Sequence, residues 1–392
     1  MKIIAIVPFM LAALTASAQS VYDTVLRQIE ANSATLIALR QQMEVEQADY
    51  PEGLYPPGPE VEIAYLRGNP YVDAGNRKEF SISQSFDFPT AYRYRGKIAD
   101  LQNDSAEFTY KAQRLDLLLA ARRVCVELIY NNALAREYAA RLQNAADIAS
   151  AYQSRFDKGD VSILELNKAK LNLAVARTDA ARAETERAAL LAELKTMNGG
   201  KDIDFSANAY PLASLPANFE DWYVRAETKS PVMQNMKGQV EIEKQQVKLT
   251  RAMNLPKFLL GYVGERNIGD RFHGVSFGIS LPLWENKGRV AQAKAQVLAA
   301  EYALKDTKTQ FYNRLQTLYI KAAALQKGAQ GARQSLSDYN SEPLLKKALD
   351  AGEISLINYI MEIEYYFEAI TKVLETERDF ELTLAELEAV EM

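Results

Sequence analysis

The segment Phe80-Ser81-Ile82-Ser83-Gln84-Ser85-Phe86-Asp87-Phe88-Pro89 decides the fold. Phe80, Ile82, Phe86 and Phe88 alternate with Ser81, Ser83, Ser85 and Asp87, and only Gln84 interrupts the apolar side. A period of two marks a β-strand with two unlike faces. The pattern returns at Val275, Phe277, Ile279, Leu281 and Leu283, interleaved with Ser276, Gly278 and Ser280. A soluble sheet with one wet face satisfies it. So does a tilted membrane strand of about ten residues backed by a water-filled lumen. On the second reading Phe86, Phe88, Phe277 and Ile279 face lipid, and Ser83, Ser85, Ser276 and Ser280 face the lumen. Partner strands that alternate less well lie near Glu60 to Arg67 and Phe258 to Arg266. Four strands cannot close a membrane barrel, since the smallest have about eight, and an open edge in lipid leaves backbone groups unpaired. Several chains must therefore share one barrel.

The strand pairs belong to a larger duplication. Ser33 and Ser230, like Tyr65 and Tyr262, are separated by 197 residues; Pro89 and Pro282, Gly159 and Gly352, and Ser162 and Ser355 by 193. The register is constant over long spans and shifts by four residues in one predicted loop. The expected organisation is a leader over 1–18, a first repeat over 19–198, a link rich in Gly, Pro and Ser over 199–218, and a second repeat over 219–392.

After Pro89 and Pro282 the helical signal continues to each Gly turn, broken only by isolated glycines and Pro343. Ala91 to Asp157 as one helix would reach about 100 Å at 1.5 Å per residue. In the second half Leu304, Lys308, Phe311, Leu315, Leu318, Ala322, Leu325, Ala329, Ala332, Leu336 and Tyr339 alternate spacings of four and three. Leu166, Ala169, Leu173, Ala176, Ala180, Ala183, Arg187, Leu190, Leu194 and Met197 do the same after the first turn. A sustained period of 3.5 predicts coiled-coil packing along a narrow seam. A solitary coiled-coil hairpin acting as a periplasmic spacer fits the seams but leaves the strand pairs unexplained.

The chain has 392 residues, a net charge of −5, one histidine (His273) and one cysteine (Cys125). An intramolecular disulfide is excluded, and the acidic balance does not suggest nucleic acid. No Gly-rich phosphate loop, nucleophile signature or metal-ligand cluster is present, so no cofactor, metal or enzymatic activity is expected. His273 reads as a turn or loop residue. At the start, Lys2, the apolar run Ile3 to Leu14 and Ala16-Ser17-Ala18 read as an export signal with cleavage before Gln19. That run is shorter than the roughly 20 residues of a spanning helix.

In its two repeats of short helix, strand pair, long helix, Gly turn and returning helix, the chain resembles the outer-membrane efflux protein family of TolC. The short length and the Phe-Pro strand ending resemble its heavy-metal cation branch. The resemblance implies a mainly helical protein with a membrane β-barrel part, a homotrimer whose four strands per chain make one twelve-stranded barrel, and a periplasmic helical tunnel. It implies an exit duct for small solutes or metal cations, driven by an inner-membrane pump through a periplasmic adaptor; a type I protein-secretion duct is the nearest alternative. It also implies that Gly159, Asp160, Gly352 and Glu353 form adaptor-docking tips and that Glu165 and its duplicate Asn358 line the mouth. Ser162-Ile163-Leu164-Glu165 equally fits a capping box.

Overall fold

The computed structural model describes residues 20–49, 54–68, 75–212, 214–267, 269–284 and 286–391. The leader expected over 1–18 lies outside them. In chain order the elements are α1 (Ser20–Asn32), α2 (Ala34–Asp49), β1 (Glu60–Leu66), β2 (Arg77–Phe86), α3 (Pro89–Asp157), α4 (Ile163–Met197), α5 (Phe219–Lys229), α6 (Pro231–Ala252), β3 (Lys257–Arg266), β4 (Arg271–Ser280), α7 (Arg289–Asp338), α8 (Glu342–Asp350) and α9 (Leu356–Glu388). The order of element types recurs: α1, α2, β1, β2, α3 and α4 are followed by α5, α6, β3, β4, α7 with α8, and α9. Ser33 and Ser230 start the second helix of each repeat, and both are buried. Each side chain accepts a hydrogen bond three residues on, from the Leu36 N–H at 3.5 Å and the Met233 N–H at 3.4 Å, as N-cap serines do.

Compactness divides the chain differently from the repeats. A helical unit takes the residues up to Ala38, Gln113–Ala226 and Tyr312 onward; a sheet unit takes Leu39–Ala112 and Glu227–Phe311. Both repeats contribute to each unit, and the boundaries expected at 198 and 218 fall inside the helical one.

In the sheet unit the strands form one antiparallel sheet in the order β1-β2-β3-β4. β2 of the first repeat pairs with β3 of the second from Lys78↔Arg266 to Phe86↔Phe258. β1 and β4 are the edges. Among the described residues, no helix is long and apolar enough to cross a membrane.

In the helical unit the seams behave as the heptad spacing predicts. From Leu166 to Met197 every seam position is buried or half-buried, Arg187 included. From Leu304 to Tyr339, a seam that begins in the sheet unit and continues here, only Lys308 and Tyr339 are exposed. The main core joins Tyr22, Val25 and Ile29 of α1 to Val124, Leu128 and Ile129 of α3 and Leu194 of α4. The link between repeats enters that core through Ile203 and Phe205. Its backbone is tied down as well: Asn132 Nδ2 donates to the Ala207 carbonyl at 2.8 Å and Tyr319 Oη to the Pro216 carbonyl at 2.8 Å. Rich in Gly, Pro and Ser, the link is anchored by its Ile203 and Phe205 side chains.

The long helix differs between repeats. α3 runs unbroken to its Gly turn, whereas its duplicate stops at Asp338 and resumes as α8. Pro343 is the cause, because it has no N–H to donate to a carbonyl one turn back. α8 restarts with Pro343 in its first turn, and the Glu342 N–H takes the Asn340 side chain at 3.2 Å in place of a helical carbonyl.

Candidate functional site

Two places carry the residues singled out in the sequence: the faces of the sheet and the two Gly turns. Residues paired across an antiparallel sheet point to the same side, so the register sorts the faces without further assumption. One face carries Val61 and Ile63 on β1, Phe80, Ile82 and Phe86 on β2, Phe258, Leu260 and Tyr262 on β3, and Val275, Phe277 and Ile279 on β4. The other carries Glu60 and Glu62, then Ser81, Ser83 and Ser85, then Leu259, Gly261 and Val263, then Ser276, Gly278 and Ser280, with Leu66 and Phe272 near the hairpin end. Within the protomer the apolar face is uncovered: Ile63 is 78% exposed, Val275 77% and Phe277 66%.

Phe86, Phe277 and Ile279 thus share one face, and Ser83, Ser85, Ser276 and Ser280 the opposite one. Phe88 does not belong with the strand residues. Pairing ends at Phe86, because Pro89 opens α3 and Asp87 is pinned: it takes Arg95 Nη2 on its carboxylate at 2.5 Å and donates its N–H to Tyr92 Oη at 3.0 Å. The Phe88 ring still lies 6.2 Å from that of Phe258. Leu281 and Leu283 likewise follow the last paired residue of β4, Ser280. Glu79 and Glu265 fall on the polar face and are joined by Arg77, at 2.6 and 2.8 Å.

The two Gly turns have the same backbone. Gly159 and Gly352 have φ of 80° and 71°, a region open to glycine at little cost. The Asp160 N–H reaches back to the Arg155 carbonyl at 2.9 Å, and the Gly159 N–H to Phe156 at 2.9 Å. Glu353 to Ala348 at 2.9 Å and Gly352 to Leu349 at 3.0 Å repeat the arrangement. Both are Schellman closures, which satisfy helix-terminal carbonyls. The next helices start on Ser162 and Ser355, whose hydroxyls accept the Glu165 and Asn358 N–H groups. The Asp160 and Glu353 side chains are exposed.

Glu165 completes a capping box: its carboxylate accepts the Ser162 N–H at 2.9 Å and the Ser162 hydroxyl at 3.0 Å. The hydrogen bond from the Ser162 backbone, with that hydroxyl, holds its carboxyl below the usual range. Asn358 keeps only the half of the box that its backbone provides. Behind both turns lies one apolar cluster of Ile148, Tyr152, Leu166, Leu356, Tyr359 and Ile363. Asn144 Nδ2 bonds Tyr359 Oη at 2.6 Å, and Arg141 pairs with Glu364 and, at 3.4 Å, with Asp179.

Two features escaped the sequence reading. Glu381 on α9 is buried, and its Oε2 has no hydrogen-bond partner among the described residues. Burial pushes its carboxyl up to about 7 against the opposing pull of Arg122, with Glu388 and Glu377 adding to the rise. No single-sequence signal marks it, since glutamates are common along α9. The second is an exposed apolar stripe beside the turns: Leu164, Leu171 and Val175 on α4 with Ile357, Met361 and Tyr365 on α9. Its spacing on α4 is helical, but Lys168 interrupts it.

The outer membrane efflux protein family model matches residues 222–351. No curated protein matches the chain at a significant level. Among solved structures, the CmeC outer membrane channel of Campylobacter jejuni superposes with a TM-score of 0.75 at 16% identity, over 95% of this chain and 85% of that one. The outer-membrane channel OprN gives 0.79 at 14%, over 96% and 92%. The outer membrane protein VceC of Vibrio cholerae gives 0.76 at 15%, over 96% and 97%. Part of the second repeat thus resembles the outer membrane efflux protein family, and nearly the whole chain shares the fold of solved outer-membrane channels.

Proposed function

We propose that this protein is one subunit of an outer-membrane exit duct, passive in itself, through which an inner-membrane pump expels small solutes or metal cations. One observation carries the reading: a four-stranded antiparallel sheet with an uncovered face that is apolar but for Gln84 until the hairpin end, a face mainly of Ser, Gly and acidic residues behind it, and two unpaired edges. In water the apolar face would be an aggregation surface, and in lipid the open edges would leave N–H and C=O groups unpaired. Both problems vanish if copies of the sheet join edge to edge into a closed barrel. The fold shared with solved outer-membrane channels favours three copies and twelve strands. Phe86, Phe277 and Ile279 then face lipid and the four serines face water.

Glu60 and Glu62 place negative charge on the water-facing side, which suits cations better than anions. The uncovered stripe of Leu164, Leu171, Val175, Met361 and Tyr365 fits helix packing between copies. The turns at Gly159–Asp160 and Gly352–Glu353 are the adaptor-docking tips, since their side chains are exposed while their backbone is rigidly closed. Glu165 and Asn358, one turn beyond, border the mouth.

Purified protein in a planar lipid bilayer tests the duct. Discrete conductance steps that favour cations, with the preference weakened in Glu60→Gln/Glu62→Gln, are expected. A protein that inserts but passes no current, or one that stays in the soluble periplasm, would overturn the reading.

A further inference from the structure

The sheet has an end where the helices attach, at Glu60, Phe86, Lys257 and Ser280, and an opposite end formed by the β1–β2 and β3–β4 hairpins. At the hairpin end the register brings Tyr65, Lys78, Arg266 and Arg271 into one row across the four strands. These residues point to the same side as Phe80, Ile82, Tyr262 and Val275. The next row inward is Ile63, Phe80, Gly264 and His273. Gly264 has no side chain, and it helps line a shallow hollow of about 490 Å³ with Lys78, Arg266, Arg271 and His273, and with Glu79 and Glu265, whose carboxylates pair with Arg77. Three cations thus rim a dent in a largely apolar surface, in a chain whose net charge is −5.

Ion pairing separates the two sides of this end. On the polar face Arg77 is neutralised by Glu79 and Glu265. Among the described residues, Lys78, Arg266 and Arg271 have no acidic partner; Lys78 sits 5.8 Å from the Tyr65 ring, and all three are exposed. Neighbouring strands lie about 4.8 Å apart, so the row spans roughly 10 Å, the width of one phosphorylated headgroup. An occupant must be anionic at the row and apolar below it.

We infer that this row and hollow hold the phosphate of a membrane lipid, with its acyl chains lying along Phe80, Ile82 and Val275. Arg266 and Arg271 offer planar forks that match phosphate oxygens, and Lys78 adds a point charge. An acidic peptide or a free anion would leave the apolar surface beneath it uncovered. The inference rests on the reading of this face as lipid-facing; the hairpin end then meets the headgroups of the outer leaflet.

The test uses the full-length protein, purified in detergent, and three probes: bis-phosphorylated lipid A, the same lipid with its phosphates removed, and inorganic phosphate. Native mass spectrometry counts bound lipid, and bilayer conductance runs in parallel. Wild type should retain the phosphorylated lipid, and Lys78→Gln/Arg266→Gln/Arg271→Gln should weaken it by about tenfold or more with conductance unchanged. Arg77→Gln, on the other face, should bind as wild type does. Should the triple variant not assemble, Arg266→Gln and Arg271→Gln singly carry the same measurement. Equal retention of the dephosphorylated lipid, or inorganic phosphate binding as tightly as the lipid, overturns the inference while conductance leaves the duct intact. Loss of conductance in wild type would instead count against the duct itself.

Discussion

The helical unit and the sheet unit handle their apolar surface in opposite ways. In the helical unit the seam residues of α4 are covered by its own helices, and even the link between repeats contributes Ile203 and Phe205 to the core. In the sheet unit Ile63, Val275 and Phe277 are all more than half exposed, and no described element of the chain covers them. The first unit covers its seams within one chain and leaves only the stripe of Leu164, Leu171, Val175, Met361 and Tyr365 bare; on the proposed reading the second is covered by lipid and further copies. Burial within the protomer therefore measures stability in one unit and function in the other.

The largest effect that can break this contrast is on the uncovered face. Phe277→Arg should cost about 2 to 4 kcal/mol of folding stability in a bilayer, as a charge on a lipid-facing strand near the midplane does. Ser276→Arg, one residue away on the other face, should leave stability nearly unchanged and lower conductance. Equal losses in both variants would mean that the faces are misassigned.

In the helical unit the sharpest probe is Glu381. Its folded-state carboxyl holds a proton up to about pH 7, because burial disfavours the charged form. In the unfolded chain it ionises in the ordinary carboxylate range. The folded state therefore binds more protons across that interval, so stability is greatest below it, falls as pH rises toward 7 and levels off above. The loss amounts to roughly 3 to 4 kcal/mol, at about 1.4 kcal/mol for each pH unit between the ordinary carboxylate range and about 7. Denaturation of wild type and Glu381→Gln from pH 4 to 8 should give converging stabilities in acid, with the variant more stable at pH 8. A wild-type stability that rises between pH 5 and 7 relative to the variant would contradict the burial.

A smaller effect belongs to the turns. Gly159→Ala and Gly352→Ala should each cost about 1 kcal/mol, since a Cβ is strained at positive φ. No atom lies within 4 Å of where it would sit, so the cost is conformational and a thermal melt should show no further loss. Asp160→Lys and Glu353→Lys should change stability by no more than about 0.5 kcal/mol yet abolish efflux in cells, with repair by charge changes in the adaptor. Normal export by these variants would leave the turns as turns.

Much of the architecture was legible in the sequence because its signals are periodic. The two-residue alternation located β2 and β4, the 3.5-residue spacing located the seams, and the separations of 197 and 193 located the duplication. Strand ends were not legible: Phe88 and Leu281 continue the alternation, but pairing depends on backbone N–H groups, which Pro89 and Pro282 interrupt. The break before α8 was marked by Pro343, although proline kinks helices as well as ending them. The cation row was invisible because Lys78, Arg266 and Arg271 lie far apart in the chain and meet only through the register of three strands. Glu381 was invisible for a similar reason, since its burial comes from elements distant in sequence.

Assembly tests the account most directly, because a sheet with one uncovered apolar face and two open edges has no stable existence as a single copy in lipid. Envelopes extracted with detergent should yield the mature protein, and native mass spectrometry should find three copies bound together. A monomer that persists in detergent, or recovery of the chain in the soluble fraction, would contradict the shared barrel.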